Sequence, residues 1–171
     1  MANISSFVNN QRPYWLQFVF TGQAFDIAHR FSILAGQTAF HQFKTGNNIA
    51  HIISTFTSWQ GNNVGPLTRD ILENPTITDG NTAPQLSANL DRRSSKVGQA
   101  QYFVNPSGVS GGTLISRQVI HGGENKVSVA PSGAVFELVL KPNTDYAIRF
   151  INETGADADV FFQWQCYESG N

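Results

Sequence analysis

Apolar and polar positions alternate most regularly in the last third of the chain, residues 134–168. Three strand-length apolar runs lie there. They are separated by Lys141-Pro142-Asn143-Thr144-Asp145 and by Asn152-Glu153-Thr154-Gly155-Ala156-Asp157. Successive side chains of a strand point to opposite faces, so a period of two marks a strand with one buried face. The predicted inward sets are Phe136, Leu138 and Leu140; Tyr146, Ile148 and Phe150; and Val160, Phe162, Trp164 and Cys166.

The same pattern recurs upstream. Residues 49–59 place Ile49, His51, Ile53, Thr55, Thr57 and Trp59 on one face, with Ala50, Ile52, Ser54 and Phe56 on the other. Their β-branched content favours strand over helix. Residues 31–45 read as two short strands joined at Gly36. Residues 67–72, 99–104 and 113–121 read as further strands, and 76–78 and 126–129 as brief extended pieces. The gaps are rich in Gly, Asn and Pro, which punctuate strands. Residues 82–98 are the least regular stretch and hold Asp91, Arg92, Arg93 and Lys96.

The first 30 residues differ. Pro13-Tyr14-Trp15-Leu16-Gln17-Phe18-Val19-Phe20 is dense in aromatics. It reads either as a first core strand or as an extended arm packing on a neighbouring subunit. Residues 25–30 read as a short helical turn or a link. Strand signals with turns every ~8–12 residues, and no helical period over two turns, predict a β-sandwich or barrel. The expected fold is all-β: a jelly-roll-like β-sandwich over residues 31–171, preceded by an N-terminal extended arm or first strand over residues 1–30.

Composition narrows the function. The 171 residues suffice for one buried core. Charged residues make up 13% of the chain, about half the usual share, and Asn, Gln, Ser and Thr carry the polar surface instead. With 11 Lys and Arg against 12 Asp and Glu, there is no basic surplus to grip a phosphate backbone, so no nucleic-acid partner is expected. No apolar run approaches a helical membrane span, and the N-terminus lacks a signal-peptide pattern. A product of the cytoplasm with no membrane partner is expected. Cys166 is the single cysteine, which excludes an internal disulfide.

Catalytic constellations are not evident. His29, His41, His51 and His121 are scattered without the close pairing a jelly-roll metal site requires. Asp157 and Asp159 share a turn that suits a solvated loop better than Ca²⁺. The nucleophile elbow, the P-loop and the dinucleotide fingerprint are absent. Cys166, on an apolar strand near Trp164 and Tyr167, reads as a buried inert thiol. A non-enzymatic protein with no catalytic, cofactor-binding or metal residues is expected.

One further pattern combines order with turn chemistry. Leu72-Glu73-Asn74-Pro75-Thr76-Ile77-Thr78 leads to Asp79-Gly80 and then to Asn89-Leu90-Asp91-Arg92-Arg93-Ser94. Next come Gly111-Gly112-Thr113-Leu114, His121-Gly122-Gly123 and Glu137-Leu138-Val139-Leu140-Lys141-Pro142-Asn143-Thr144. The chain closes on a Tyr-Xaa-Ile-Arg strand (Tyr146 to Arg149), an Asn-rich turn and a last aromatic strand. Over residues 31–168 this resembles small virion structural proteins of tailed bacteriophages, in particular head decoration (cement) proteins. Asp91 departs from the neutral residue more usual there. The resemblance implies a protein on the outer surface of the phage head, with the major capsid protein and itself, as a homotrimer, as partners. Outside the matched stretch, the aromatic Tyr14, Trp15, Phe18 and Phe20 are expected to anchor the arm to a neighbour, with Arg92 and Arg93 as a second contact. A tail-associated adaptor β-domain, or a carbohydrate-binding module using Trp15, Trp59 and Trp164 as a stacking platform, are the competing readings.

Overall fold

The computed structural model describes residues 16–60, 65–78, 88–121, 128–129 and 138–169. Among these, the chain forms one short helix, α1 (Leu16–Phe20), and thirteen strands. In chain order they are β1 (Ala24–Ile33), β2 (Thr38–Lys44), β3 (Ile49–Gln60), β4 (Pro66–Glu73), β5 (Thr76–Thr78), β6 (Ala88–Asn89) and β7 (Gln101–Val104). They continue as β8 (Ser107–Ser110), β9 (Thr113–His121), β10 (Ser128–Val129), β11 (Leu138–Leu140), β12 (Asp145–Asn152) and β13 (Ala158–Ser169).

The pairing is nested. β1 and β3 flank β13, while β2 and β4 flank β12, and every one of these ladders is antiparallel. One sheet runs β10-β3-β13-β1-β6, with β11 also on β3. The second runs β7-β2-β12-β4-β9, and β5 and β8 pair separately. β1 to β4 thus alternate between the two sheets, as do β11 to β13, and the first strand pairs with the last. That is the wrapping of a jelly roll, so the fold is the all-β sandwich the alternation predicts.

The inward sets meet between the sheets. Tyr146, Ile148, Phe150, Val160, Phe162, Trp164 and Cys166 are all buried. Phe43 stacks on Trp164 at 4.7 Å, and Phe162 meets Phe150 edge-to-face at 5.3 Å. Each such ring contributes roughly 1.5–3 kcal/mol by leaving water. Leu140 is buried and Leu138 half-buried, whereas Phe136 lies outside the described residues. Cys166 is buried, and burial, followed by the charges of Glu168 and Asp26, pushes its thiol pKa up. The 152–157 turn is held by Asn152. Its amide donates to the carbonyls of Ile33, Leu34 and Ala156, and its oxygen accepts from Thr154.

The start of the chain corrects two expectations. Residues 16–20 are a helical turn, neither strand nor extended arm, and residues 25–30 are strand rather than a turn or link. The helix stops at a Schellman cap: Gln23 N–H donates to Phe18 O and Gly22 N–H to Val19 O. Gly22 takes φ +68°, where glycine carries no Cβ penalty. The 1–30 segment therefore divides into residues 1–15, outside the described residues, then α1, then most of β1. The gap between the strands read at 99–104 and 113–121 holds a further strand, β8, which starts at Ser107.

Candidate partner-binding site

Two stretches far apart in sequence meet at one end of the sandwich. The turn after α1 packs on the 88–99 loop, and the contact is built from backbone carbonyls. Asn89 Nδ2 donates to Gly22 O at 3.0 Å and to Lys96 O at 3.0 Å. Lys96 Nζ donates to Thr21 O at 2.8 Å. Leu90 N–H donates to Ala24 O at 2.9 Å. Gly22 allows the approach: a Cβ there would stand 2.1 Å from Ser94 Oγ. Phe18 anchors the helix by stacking on Tyr167 at 4.0 Å with the rings 9° apart.

The far side of the loop is tied to the last strand. The buried carboxylate of Glu168 accepts the Gln99 N–H at 3.0 Å and the Ala100 N–H at 2.8 Å. Gln23 Nε2 donates to Glu168 O at 3.2 Å, and Asn48 N–H donates to Gln99 Oε1 at 3.3 Å. Between these ties lies a hollow of about 320 Å³ lined by Gly22, Gln23, Asn48, Lys96, Gln99 and Glu168, among others. Its polar groups are largely engaged with one another, so it is better suited to seating a protruding group than to chemistry.

The two segments that meet here expose apolar and cationic side chains, of which Lys96 and Val97 line the hollow. Phe20 is 58% exposed and Val97 77%, and Arg92, Arg93 and Lys96 are exposed. Arg93 is gripped by Asp91 through Nε at 2.9 Å and Nη2 at 3.2 Å. Those hydrogen bonds lower the Asp91 pKa and raise that of Arg93. Asp91 also accepts the Arg93 N–H at 3.1 Å, so it fixes the turn. The residue that departs from the phage pattern thus shapes this loop.

Of the expected interface residues, Phe18 and Phe20 lie on α1 and Arg92 and Arg93 on the loop its turn packs against, while Tyr14 and Trp15 lie outside the described residues. Phe18 serves as an anchor to the sandwich; Phe20 and Arg92 face outward. Val97 and Lys96 complete the patch and were not singled out from sequence. A lone apolar residue in the polar stretch Ser94-Ser95-Lys96-Val97-Gly98 was the available signal.

Other candidates resolve into structural roles. Asp159 accepts from Arg30 Nη2 at 3.1 Å and Ser32 Oγ at 2.6 Å, and Asp157 accepts the Ala35 N–H at 3.0 Å. Both carboxylates brace the start of β13 against β1 and its following turn. Trp164 is buried in the core and cannot stack on a sugar. Trp15 and the side chain of Trp59 lie outside the described residues.

Fold and site together define a β-sandwich protein with a built, non-periodic surface patch at one end. No family model matches the chain, and no curated protein matches it. Among solved structures it is similar to a chain of the T=1 particles derived from infectious bursal virus, at 12% identity and a TM-score of 0.23. The match covers 86% of this chain and 40% of that one, so this chain spans about two fifths of the length of that protein. A similarity of that size carries no functional argument.

Proposed function

We propose that this chain is a non-enzymatic virion structural protein, a head decoration protein that binds the outside of a major capsid protein lattice and stabilises it. The observation that carries the reading is the junction of the α1 turn with the 88–99 loop, where Lys96 and Val97 line a hollow at one end of a two-sheet frame and the joined segments expose Phe20 and Arg92. Aromatic and arginine side chains beside apolar ones make up the energetic centre of many protein interfaces. A frame already ordered before binding loses little entropy on docking. The cations suit an acidic lattice surface, and the low overall charge suits broad polar contact. The sequence resemblance supplies the phage context; jelly rolls also serve lectins and enzymes, so fold alone does not choose among them. Burial of Trp164 weighs against the sugar-stacking alternative.

The test is cosedimentation with phage heads and with tails assembled without this chain. Binding to heads, lost in an Arg92→Glu/Val97→Asp double variant that stays folded, is the expected result. Binding to tails alone would move the protein to the tail-adaptor reading, and binding to neither would reject both. Deleting residues 1–20 is expected to remove particle binding while leaving a folded sandwich.

A further inference from the structure

The second sheet ends on a strand whose composition does not guard it. β9 closes the order β7-β2-β12-β4-β9 and, among the described residues, has one sheet neighbour along its nine residues. An unpaired edge offers a row of N–H and C=O groups to any extended segment, and proteins usually blunt such edges with charge, proline or a short strand. β9 reads Thr-Leu-Ile-Ser-Arg-Gln-Val-Ile-His, with no proline, lysine or carboxylate. Its register against β4 shifts once, opposite Ile71 and Leu72, and is regular from Ser116 to His121. Other edge strands are short: β7 has four residues, β6 and β10 two each.

The one charge on β9 does not protect the edge. Arg117 is 51% exposed, but its Nε and Nη2 donate to Asp70 on β4 at 2.7 and 3.0 Å. The guanidinium therefore turns back across its own sheet, towards Arg149 on β12, which grips the same carboxylate. Val119 shares the outward face of β9 with Arg117, two residues on, and is 45% exposed. Ile120 points the other way, into the core.

We infer that β9 is a seam along which a second copy of this chain adds its own β9, antiparallel, so that two five-stranded sheets become one. The strand is complementary to itself. A two-fold axis at Gln118 sets Arg117 of each copy across from Val119 of the other, so no like charges face directly and each arginine keeps its Asp70. Pairing by main-chain hydrogen bonds with alternate side-chain contacts is the usual mode of strand addition. An antiparallel seam closes at two copies, so it predicts a dimer where the phage resemblance implies a trimer.

Light scattering on the eluting full-length protein reads the mass directly, and the expected value is twice 18.8 kDa. Two substitutions at Val119 test the register. Val119→Arg sets like charges opposite one another and weakens dimerisation roughly ten-fold, whereas Val119→Glu sets a carboxylate across from Arg117 and leaves it equal or tighter. Both variants are first shown to keep the wild-type circular dichroism. A monomer at every concentration overturns the inference, as does a mass of three chains. A dimer weakened equally by both substitutions overturns it too, since a plain apolar contact would behave that way.

Discussion

His41 is the most constrained titratable residue of the core. Its ring is fully buried, hydrogen-bonded through Nδ1 to the Tyr102 hydroxyl, with Phe31, Phe150 and His29 around it. Burial, and then the charge of His29, holds its pKa down to about 3 against an ordinary 6.5. His29 is lowered too, by burial. A folded pKa below the unfolded one means the unfolded chain takes up the proton first. The stabilisation is therefore complete above pH ~6.5 and is lost as pH falls towards ~3. Unfolding free energy should drop by about 2 kcal/mol between pH 6.5 and 5, and urea titrations of a His41→Leu chain should show a shallower fall. Equal slopes in both chains would contradict this. Asp70 is the second such residue. Burial alone would raise its pKa, but hydrogen bonds and charge from Arg117 and Arg149 outweigh that and lower it. Asp70→Asn should cost about 3 kcal/mol by leaving the partly buried Arg149 guanidinium without its buried carboxylate, against under about 1 kcal/mol for Arg30→Ala at the exposed Arg30–Asp159 pair. Urea unfolding of the two variants checks the contrast. Sequence revealed the alternating core positions but not this triplet, whose members lie 47 and 79 residues from Asp70. Only the cross-strand register brings Asp70 beside Arg149 and Arg117.

At the scale of elements, β7, β12 and β13 followed the period-two pattern closely, because their alternate side chains are buried between the sheets. The start of the chain did not. Leu16-Gln17-Phe18-Val19-Phe20 has strand-like composition, and five residues are too few to display a helical period. The stop signal Thr21-Gly22-Gln23 was the local clue, since the cap hydrogen bonds need a left-handed glycine. Gly22→Ala should therefore destabilise the chain by at least about 1–2 kcal/mol, with Ser94 displaced. The thermal midpoint should fall, and the near-ultraviolet signal of the Phe18–Tyr167 stack should weaken. An unchanged midpoint would show that α1 is not held by this turn. β1 was misread in part because His29 and Arg30 interrupt its apolar alternation, although Phe25, Ile27, Phe31 and Ile33 keep it.

The whole molecule is a frame with two kinds of surface. One sheet's outer face is polar, carrying Asp26, Arg30, Ser32, Asp159 and Gln163 in cross-strand contact. The functional candidates lie elsewhere, at the α1 end and along β9. All-β class and sandwich layering were legible from turn spacing; the nested pairing was not, because antiparallel partners such as Phe31 and Val160 are joined only by closure of the whole chain. Arg92 and Arg93 were legible as candidates because they stand out from a weakly charged sequence, and Phe20 because it belongs to the aromatic-dense run 13–20. The junction of their two segments depends on Gly22, which lets the α1 turn touch the loop that carries Lys96 and Val97. The central claim is that this meeting point is where the protein grips a particle. The most direct test is cosedimentation of purified chain with phage heads assembled without it, comparing wild type with Arg92→Glu/Val97→Asp. The account predicts saturable binding that the double variant loses by at least roughly ten-fold, as expected when central contacts of an interface are removed. Wild-type and variant chains that bind equally, or a wild type that stays in the supernatant, would contradict it.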